Sequence, residues 1–379
     1  MTKFLLVTSV ISPHQMPLAQ CFAAIVGENS FRFVATHPPV LDPQAVAWKH
    51  EENSPWVLRA GEIDADRSEF LQWWDEADVV LCGERLTELM EKRIQTGKQT
   101  FYMSERWWKP PVGLLRLLHP RFARMAIRFR RLAESPFFHY LPTGYHAAAD
   151  MKRLTAFPNR MWMWGYFTAR PHQVPDRAAE KRPMNVLYAG RMLKWKRVDT
   201  LIRGFQLLAV NQPNARLTLI GDGPCRPSLE KLATRLDLGA CVSFRFSLPM
   251  EEVWQQMHSS HIYVLPSNGY EGWGAVVNEA MSLGCTVVAS DAAGSAKTMI
   301  RNGENGCLFR PGDWRQLGEI LIRLSNDEEL RNKLAMAAQK TIRDCWSPKV
   351  AAERLLAVSD ALLSRRPVPV YKDGPMSRV

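Results

Sequence analysis

The sequence contains no two cysteines at the Cys-x-x-Cys spacing, although it has seven cysteines in all. An odd number of scattered cysteines favours reduced thiols over a disulfide framework, and the missing pairs argue against a structural zinc site. We therefore expect a cytoplasmic protein, and nothing in the cysteine pattern predicts a bound metal.

Long hydrophobic runs are also absent, since no stretch reaches the roughly 18 apolar residues that a membrane-spanning helix needs. The apolar run near the N-terminus is about eight residues long and no small-residue cleavage site follows it, so we expect a buried strand there and not a signal peptide. With 379 residues and 46% hydrophobic content, the chain is large enough for two domains, each with its own core.

Acidic residues are scarce between Arg106 and Arg170, where Glu134 and Asp150 stand against 12 lysines and arginines. The whole chain carries a net charge of +11. Such a patch suits nucleic acid, anionic lipid headgroups or a phosphate-bearing substrate, and it can also be a plain solvated face. Because the sequence has no zinc finger, helix-turn-helix signature or aromatic-basic ribbon, we expect no nucleic-acid partner.

Within this patch, the segment LLHPRFARMAIRFRRLAE predicts a basic amphipathic helix. An apolar stripe and an adjacent basic stripe recur at helical spacing, formed by Leu118, Phe122, Met125, Phe129 and Leu132 and by Arg121, Arg124, Arg128 and Arg131. Such a helix can lie on an anionic membrane surface, which would make the protein peripheral on the inner membrane face. Alternatively, the apolar stripe packs on its own sheet and the arginines are solvated.

The second half of the sequence alternates short apolar strands with amphipathic helices, a pattern typical of a doubly wound parallel sheet that binds ligands at the carboxyl ends of its strands. We predict six strands, over residues 186–189, 216–220, 242–246, 262–266, 286–290 and 306–309. The first half repeats the theme less regularly, with buried strands in FLLVTSV, FRFVAT, ADVVLCG, QTFYMS and FHYLPT.

These patterns predict two α/β domains that face a central cleft. A segment with three prolines, many charges and no apolar period reads as an interdomain linker. Near the C-terminus, Ser347 and Pro348 suit the start of a closing helix that packs back toward the N-terminal domain. The predicted boundaries are 1–168 for the N-terminal domain, 169–183 for the linker, 184–346 for the C-terminal domain, 347–364 for the closing helix and 365–379 for a loose tail.

The stretch YEGWGAVVNEA places Glu271 and Glu279 at a predicted strand-to-helix junction. If both were helical, about 12 Å of rise would separate them, well beyond the roughly 5 Å of a retaining glycosidase pair. Carboxylates at that distance suit hydroxyls at the two ends of one extended ligand, such as a ribose and a hexose. The following helix start offers unpaired N–H groups for a diphosphate. Alternatively, Glu271 is a loop carboxylate and Glu279 an exposed helix residue.

Three stretches together resemble retaining family-4 glycosyltransferases of the GT-B fold. PSNGYEGWGAVVNEAMSLGCTVVAS resembles the E-x7-E region of that family, YAGRMLKWKRVDTLIRGF its strand, Gly-Arg turn and downstream lysine, and LTLIGDGPCRPSLEKL its next strand and Gly-x-Gly-Pro loop. The resemblance covers residues 186–345 in the family's order. It implies two Rossmann-like doubly wound domains and a transferase that uses a nucleotide-diphosphate sugar.

The resemblance also implies roles for individual residues. Glu279 would bind the ribose hydroxyls, and Glu271 a hydroxyl of the donor sugar. Arg191 and Lys196 would bind the leaving diphosphate and take the place of magnesium, so we expect neither a metal nor another cofactor. The sugar and diphosphate would lie near the backbone amides of Gly272, Trp273, Gly274 and Ala275.

The first half departs from the family pattern in two places. The loop SPHQMPLA has His14 and Gln15 where the family has glycines, and we expect their side chains to contribute to donor binding. At the end of a later strand, TFYMSERWW offers Glu105 and Arg106 in place of the family's histidine. These two residues either face the acceptor or form a salt-bridged strand end.

The function that these expectations favour is retaining transfer of a sugar to a lipid-linked or cell-surface glycan intermediate, as in polysaccharide biosynthesis. One alternative is a nucleotide-sugar epimerase of the same fold. Another is a basic protein that binds membranes or nucleic acid and has a decayed donor site.

Overall fold

The computed structural model describes residues 2–38, 54–109, 112–169 and 183–379. The chain divides into two compact units. Unit 1 comprises Met1–Ala169 and Cys345–Val379, and unit 2 comprises Arg170–Asp344. Apart from residues 169 and 183, the predicted linker lies outside the described residues.

Unit 1 is built on a parallel six-stranded sheet with the order β3-β2-β1-β4-β5-β6. All five strands predicted in the first half are present, and the sequence missed β3, which is too short to give an alternating pattern. The elements are β1 (Phe4–Thr8), α1 (Met16–Val26), β2 (Phe31–Ala35), β3 (Val57–Leu58), α2 (Asp64–Glu76), β4 (Val79–Cys82), α3 (Thr87–Gln95), β5 (Gln99–Ser104), α4 (Pro120–Leu132), β6 (Phe138–Pro142) and α5 (Tyr145–Arg153).

Unit 2 contains a second parallel six-stranded sheet, with the order β12-β11-β10-β7-β8-β9. It includes all six predicted strands. The elements are β7 (Asn185–Ala189), α6 (Val198–Asn211), β8 (Arg216–Ile220), α7 (Arg226–Arg235), β9 (Val242–Arg245), α8 (Met250–Ser259), β10 (Ile262–Leu265), α9 (Val276–Ser282), β11 (Thr286–Ser290), α10 (Gly294–Met299), β12 (Cys307–Phe309), α11 (Trp314–Asn326) and α12 (Glu328–Asp344).

The two sheets have the same topology when their strands are followed along the chain. In each, the first strand pairs with the second on one side and with the fourth on the other, so the strand order reverses between β1 and β4 and between β7 and β10. Ligands of doubly wound sheets bind beyond the carboxyl ends of the strands at such a reversal. The loops after these four strands are therefore the first places to look for a site.

The C-terminal segment belongs to unit 1. Helix α13 (Pro348–Leu363) begins at Ser347, whose Oγ accepts a hydrogen bond from the Val350 N–H, and it packs against α1. The prediction of a loose tail over residues 365–379 is wrong. Met376 is fully buried and its N–H donates to the Met163 carbonyl, while the Arg378 guanidinium lies 3.9 Å from the centre of the Trp162 ring. The prolines of this stretch predicted a loose segment, and nothing in the sequence indicated that Met376 and Arg378 pack against the rest of unit 1.

The basic amphipathic segment forms α4, and its apolar side turns inward. Phe129 and Leu132 belong to the core of unit 1, and Phe129 packs edge-on against Tyr102. The alternative in which the stripe packs on its own sheet is therefore correct for this half of the helix. Leu118, just before α4, is 82% exposed and stays outside the core. Among the described residues, no helix combines the length and the apolar character needed to span a bilayer.

Candidate functional site

The candidate site lies in unit 2, where the loops after β7, β8 and β10 meet at the strand-order reversal. Two close backbone approaches shape it. A Cβ on Gly221, whose φ is +132°, would lie 2.1 Å from the Gly190 carbonyl oxygen, and one on Gly294 would lie 2.1 Å from the Gly272 carbonyl oxygen. Only glycine allows these loops to approach so closely.

Glu271 follows β10 and is 7% exposed. Its Oε2 accepts a hydrogen bond from Lys196 Nζ at 2.6 Å and another from the buried Ser267 Oγ at 2.8 Å. Hydrogen bonds between charged groups are short and strong, so the carboxylate is held in a fixed position. The structure thus brings together two residues that the sequence placed 75 positions apart.

The loop after β7 carries Lys196 toward this carboxylate. Lys196 ends a short 3₁₀ turn, Lys194–Lys196, and its ammonium also lies 4.5 Å from the centre of the Trp195 ring. The Asn268 N–H donates to the Trp195 carbonyl at 2.9 Å. A backbone hydrogen bond and an ion pair therefore join the loops after β7 and β10 directly.

Glu279 lies inside α9 and is 5% exposed, which excludes the alternative of an exposed helix residue. Burial raises the pKa of Glu279 to about 7, and an interaction with the Trp254 side chain partly opposes this rise. Loss of water around a carboxylate disfavours its charged form. The group is therefore poised to lose or gain a proton near neutral pH.

The loop between the two glutamates is held by its own contacts. The Trp273 side chain is buried, and its Nε1–H donates to Asn278 Oδ1 at 2.9 Å. The Trp273 carbonyl accepts from the Ser295 N–H, and Ser295 Oγ donates to the Gly274 carbonyl at 3.0 Å. The Trp273 side chain therefore supports the loop, and the backbone amides of residues 272–275 stay the predicted ligand contacts of this stretch.

Arg191 follows β7 and its side chain is exposed. Its carbonyl accepts a hydrogen bond from the Tyr188 hydroxyl at 3.0 Å, which fixes the backbone of the turn. The guanidinium makes no ion pair with the residues that the structure describes. Arg191 can therefore take an anionic ligand without first losing an ion-pair partner from the described part of the chain.

His14 and Gln15 lie in unit 1, in the loop between β1 and α1. The His14 ring stacks on Tyr166 with 6.3 Å between centroids, and burial lowers the pKa of His14 to about 4, so it is neutral at pH 7. Gln15 Oε1 accepts from the Ser12 hydroxyl at 2.9 Å. Both residues occupy the strand-order reversal of unit 1, whereas the two glutamates occupy that of unit 2.

Glu105 and Arg106 take separate roles after β5. Arg106 Nη2 lies 3.7 Å from Asp150 Oδ1, and Asp150 is fully buried and also accepts from the Trp108 N–H. Arg106 is thus part of a salt-bridged strand end. Glu105 pairs with Lys109 at 3.1 Å and accepts from the Tyr166 hydroxyl at 3.4 Å.

Sequence inspection missed Ser267, Gly294 and Ser295, which orient the loop around Glu271. The sequence did contain a pattern that could have identified these three residues. Ser267 is the second residue after β10, and Gly294 and Ser295 begin the helix after β11, the neighbouring parallel strand. The carboxyl ends of neighbouring parallel strands lie at one edge of a sheet, so small residues after β11 are expected beside those after β10.

Residues 170–341 match the family model Glycosyl transferases group 1. The matched residues cover nearly all of unit 2 and contain the loops after β7, β8 and β10. The candidate residues of unit 2 all fall within the match, whereas His14, Gln15, Glu105 and Arg106 lie outside it.

Relatives match over about half of the chain. The chain is 32% identical over 183 residues to D-inositol 3-phosphate glycosyltransferase of Thermomonospora curvata, which is 46% of this chain and 42% of that protein. It is 33% identical over 195 residues to sulfoquinovosyl transferase SQD2 of Arabidopsis thaliana, covering 51% of this chain and 36% of that one. The chain therefore spans less than half the length of both relatives.

Solved structures match along nearly the whole chain. HepE of Anabaena, crystallised in complex with UDP, has a TM-score of 0.67 at 17% identity, with 96% of this chain and 100% of that chain covered. WaaG, a glycosyltransferase involved in lipopolysaccharide biosynthesis, has a TM-score of 0.61 at 18% identity, with coverage of 95% and 99%. The fold is therefore GT-B, with two parallel α/β domains.

Proposed function

We propose that this protein is a retaining glycosyltransferase that moves a sugar from a nucleotide-diphosphate sugar to a glycan or lipid-linked acceptor. The observation that carries the proposal is the buried Glu271–Lys196 pair at the strand-order reversal of unit 2, with Glu279 on the next helix. Such a pair combines an acceptor for sugar hydroxyls with a cation for phosphate oxygens. The group 1 domain match over the same residues supports it.

Glu279 is assigned to the ribose of the donor. A carboxylate accepts hydrogen bonds from two neighbouring hydroxyls, and at a buried position these bonds replace the water that the group lost on folding. The proposal assigns the sugar and diphosphate to the backbone of Gly272, Trp273, Gly274 and Ala275. It assigns His14 and Gln15 to the donor as well, through their side chains.

The chemical step breaks the bond between the anomeric carbon and the diphosphate oxygen. The acceptor oxygen bonds to that carbon on the same face, and the acceptor hydroxyl transfers its proton to the departing diphosphate oxygen. Negative charge grows on the diphosphate, and the cations of Arg191 and Lys196 stabilise it. We propose that these two side chains make a divalent metal unnecessary.

The names of two further relatives support a glycolipid or surface polysaccharide as the acceptor. The chain is 26% identical over 176 residues to the capsular polysaccharide biosynthesis glycosyltransferase CapM of Staphylococcus aureus. It is 25% identical over 233 residues to GDP-mannose-dependent monoacylated alpha-(1-6)-phosphatidylinositol monomannoside mannosyltransferase of Corynebacterium glutamicum. We place the reaction in the cytoplasm. The exposed Leu115 and Leu118, beside Arg121, Arg124, Arg128 and Arg131, support peripheral binding to an anionic membrane surface.

The membrane part of the proposal is tested by sedimentation with vesicles. Wild type should sediment with anionic vesicles at low salt and be released by added salt, and changing both leucines to serine should weaken the association. Failure of wild type to sediment would remove the membrane from the proposal. It would leave the transferase activity standing.

The transferase itself is tested by a donor screen followed by product analysis. Thermal unfolding in a panel of nucleotide diphosphates and nucleotide sugars should show a higher midpoint with the matching nucleotide, because ligand binds only the folded chain. NMR of the product should show the anomeric configuration of the donor, and EDTA should leave turnover unchanged. Inverted product, or inhibition by EDTA that magnesium reverses, would contradict the retaining and metal-independent parts respectively.

A further inference from the structure

Unit 1 contains a cavity of about 320 Å³ near the carboxyl ends of β4 and β5, between α3 and α4. Its apolar lining includes Met90, Tyr102, Trp107 and Phe129, all of which are buried. The volume lies at the lower end of the range for small-molecule sites. The cavity therefore suits one small group with part of the molecule that carries it.

Four arginines surround this lining: Arg85 after β4, and Arg121, Arg124 and Arg128 on α4. We call the cavity with these residues the arginine groove. Arg128 Nη2 lies 2.5 Å from Glu91 Oε2, so one of the four charges is balanced. Like charges around one small cavity repel each other, and a bound anion would relieve this repulsion. The groove therefore favours an anionic ligand.

The other three guanidinium groups have no carboxylate partner among the described residues. Arg85 Nη1 lies 3.7 Å from Met125 Sδ, and the Arg85 guanidinium lies 5.8 Å from the centre of the Trp107 ring. Arg124 Nε makes a long hydrogen bond of 3.4 Å to the Pro120 carbonyl. These contacts hold the side chains near the groove without neutralising them.

We propose that the arginine groove binds a phosphate group carried by the acceptor, an inference that rests on the proposed function. Guanidinium groups present paired N–H donors that match phosphate oxygens, and several arginines around one position are typical of phosphate recognition. Thr87, at the start of α3, adds a hydroxyl to the lining. The aromatic lining accommodates the sugar or chain next to the phosphate and lowers the local water content, which strengthens the charge interaction.

The location supports an acceptor rather than a donor group. Arg85 lies three residues after the end of β4 and Trp107 three residues after the end of β5, on the edge of unit 1 where doubly wound sheets bind ligands. Strand β4 is one of the two strands at the reversal of this sheet. Most residues assigned to the donor belong to unit 2, and the two in unit 1, His14 and Gln15, lie in the loop after β1 and do not line the groove. The groove therefore supplies a second, separate anion site.

Calorimetric titration tests the proposal with three probes: glucose 6-phosphate, inorganic phosphate and neutral glucose. Glucose 6-phosphate should bind and glucose should not, with inorganic phosphate weaker than the sugar phosphate because it does not use the aromatic lining. Arg85→Gln and Arg124→Gln should each weaken glucose 6-phosphate binding about tenfold, because each removes charged hydrogen bonds. Arg124→Lys, which keeps the charge and loses the paired donors, should fall between.

Arg130→Gln and Arg131→Gln are matched controls, since both lie on α4, carry the same charge and do not line the groove. They should change affinity by less than about twofold through screened long-range charge. Equal losses in groove and control variants would show a diffuse charge effect and overturn the proposal. So would binding of glucose as tight as that of glucose 6-phosphate.

Nucleotide binding by the same proteins separates the two proposals. If wild type binds a nucleotide diphosphate but not glucose 6-phosphate, the proposed phosphate-binding role of the groove is wrong and the proposed transferase function still stands. Binding of glucose 6-phosphate without any nucleotide binding would overturn the transferase and, with it, the acceptor role of the groove. Because Arg85 and Arg124 are exposed, their variants should keep the wild-type unfolding midpoint, which verifies that losses of binding are local.

Discussion

Units 1 and 2 share one strand order but differ in what stands at the reversal. In unit 2, the loops touch through Gly221 and Gly294 and hold two buried carboxylates beside a lysine. In unit 1, the corresponding loop after β1 carries His14 and Gln15, and arginines cluster after β4 and on α4. Topology determines where a ligand binds, and the side chains at that edge determine which ligand it is.

The sharpest way to break this comparison is to separate the loops of unit 2. Gly221→Ala would place a Cβ against the Gly190 carbonyl and would hold an alanine at φ +132°, which L side chains rarely adopt. We therefore expect the free energy of unfolding to fall by about 2–4 kcal/mol and nucleotide binding to be lost. Gly239→Ala is the control, because a Cβ there meets open space. Thermal unfolding of both variants measures the effect. Equal stability of the two would mean that close loop contact is not what builds the site.

The next largest effect concerns the ion pair of unit 2. Lys196→Gln leaves Glu271 nearly buried without its cation, and the two side chains are only 15% and 9% exposed. We expect a loss of about 1–3 kcal/mol in the free energy of unfolding, together with lower turnover. Denaturant unfolding and steady-state kinetics measure these effects. Unchanged turnover would remove Lys196 from the leaving-group role.

The charge of Glu279 gives a prediction that depends on pH. Its pKa of about 7 in the folded chain lies above the ordinary value of 4.5, so the proton it keeps stabilises the fold at low pH, and this stabilisation is lost as pH rises through 7. Glu279→Gln, which cannot ionise, should therefore be more stable than wild type by about 1–3 kcal/mol at pH 8 and by much less at pH 5. Thermal midpoints at the two pH values measure the difference. A gain of the same size at both would show that ionisation is not its cause.

The smallest effect is expected in unit 1. Lys109 and Glu105 form an ion pair whose side chains are 30% and 34% exposed. Because water screens such a pair, Lys109→Gln should cost less than about 1 kcal/mol, compared with the larger loss at Lys196. Denaturant unfolding of the two lysine variants side by side gives the contrast. A larger loss at Lys109 would reverse the comparison between the units.

The sequence predicted most of unit 2 because strand, glycine turn and helix follow each other there at regular spacing. It placed Glu271, Glu279 and Lys196 correctly in the loops and helices of one sheet edge. It could not give the contact between Lys196 and Glu271, which depends on how two distant loops pack. It also failed to predict that the C-terminal tail is packed against unit 1. The buried Met376 and the stacked Arg378 lie in a stretch whose composition is typical of turns and loops.

The central claim is that the two glutamates of unit 2 divide the donor between them, and parallel binding and kinetic measurements on Glu279→Gln and Glu271→Gln at pH 8 test it most directly. Ribose contacts are shared by the ground and transition states, whereas contacts to the transferred sugar position the reacting carbon. We predict that Glu279→Gln weakens the binding of the matching nucleotide diphosphate about tenfold although its fold is more stable, and that Glu271→Gln keeps the nucleotide affinity but lowers kcat. Equal loss of nucleotide affinity in both variants, or none in Glu279→Gln, would contradict the account.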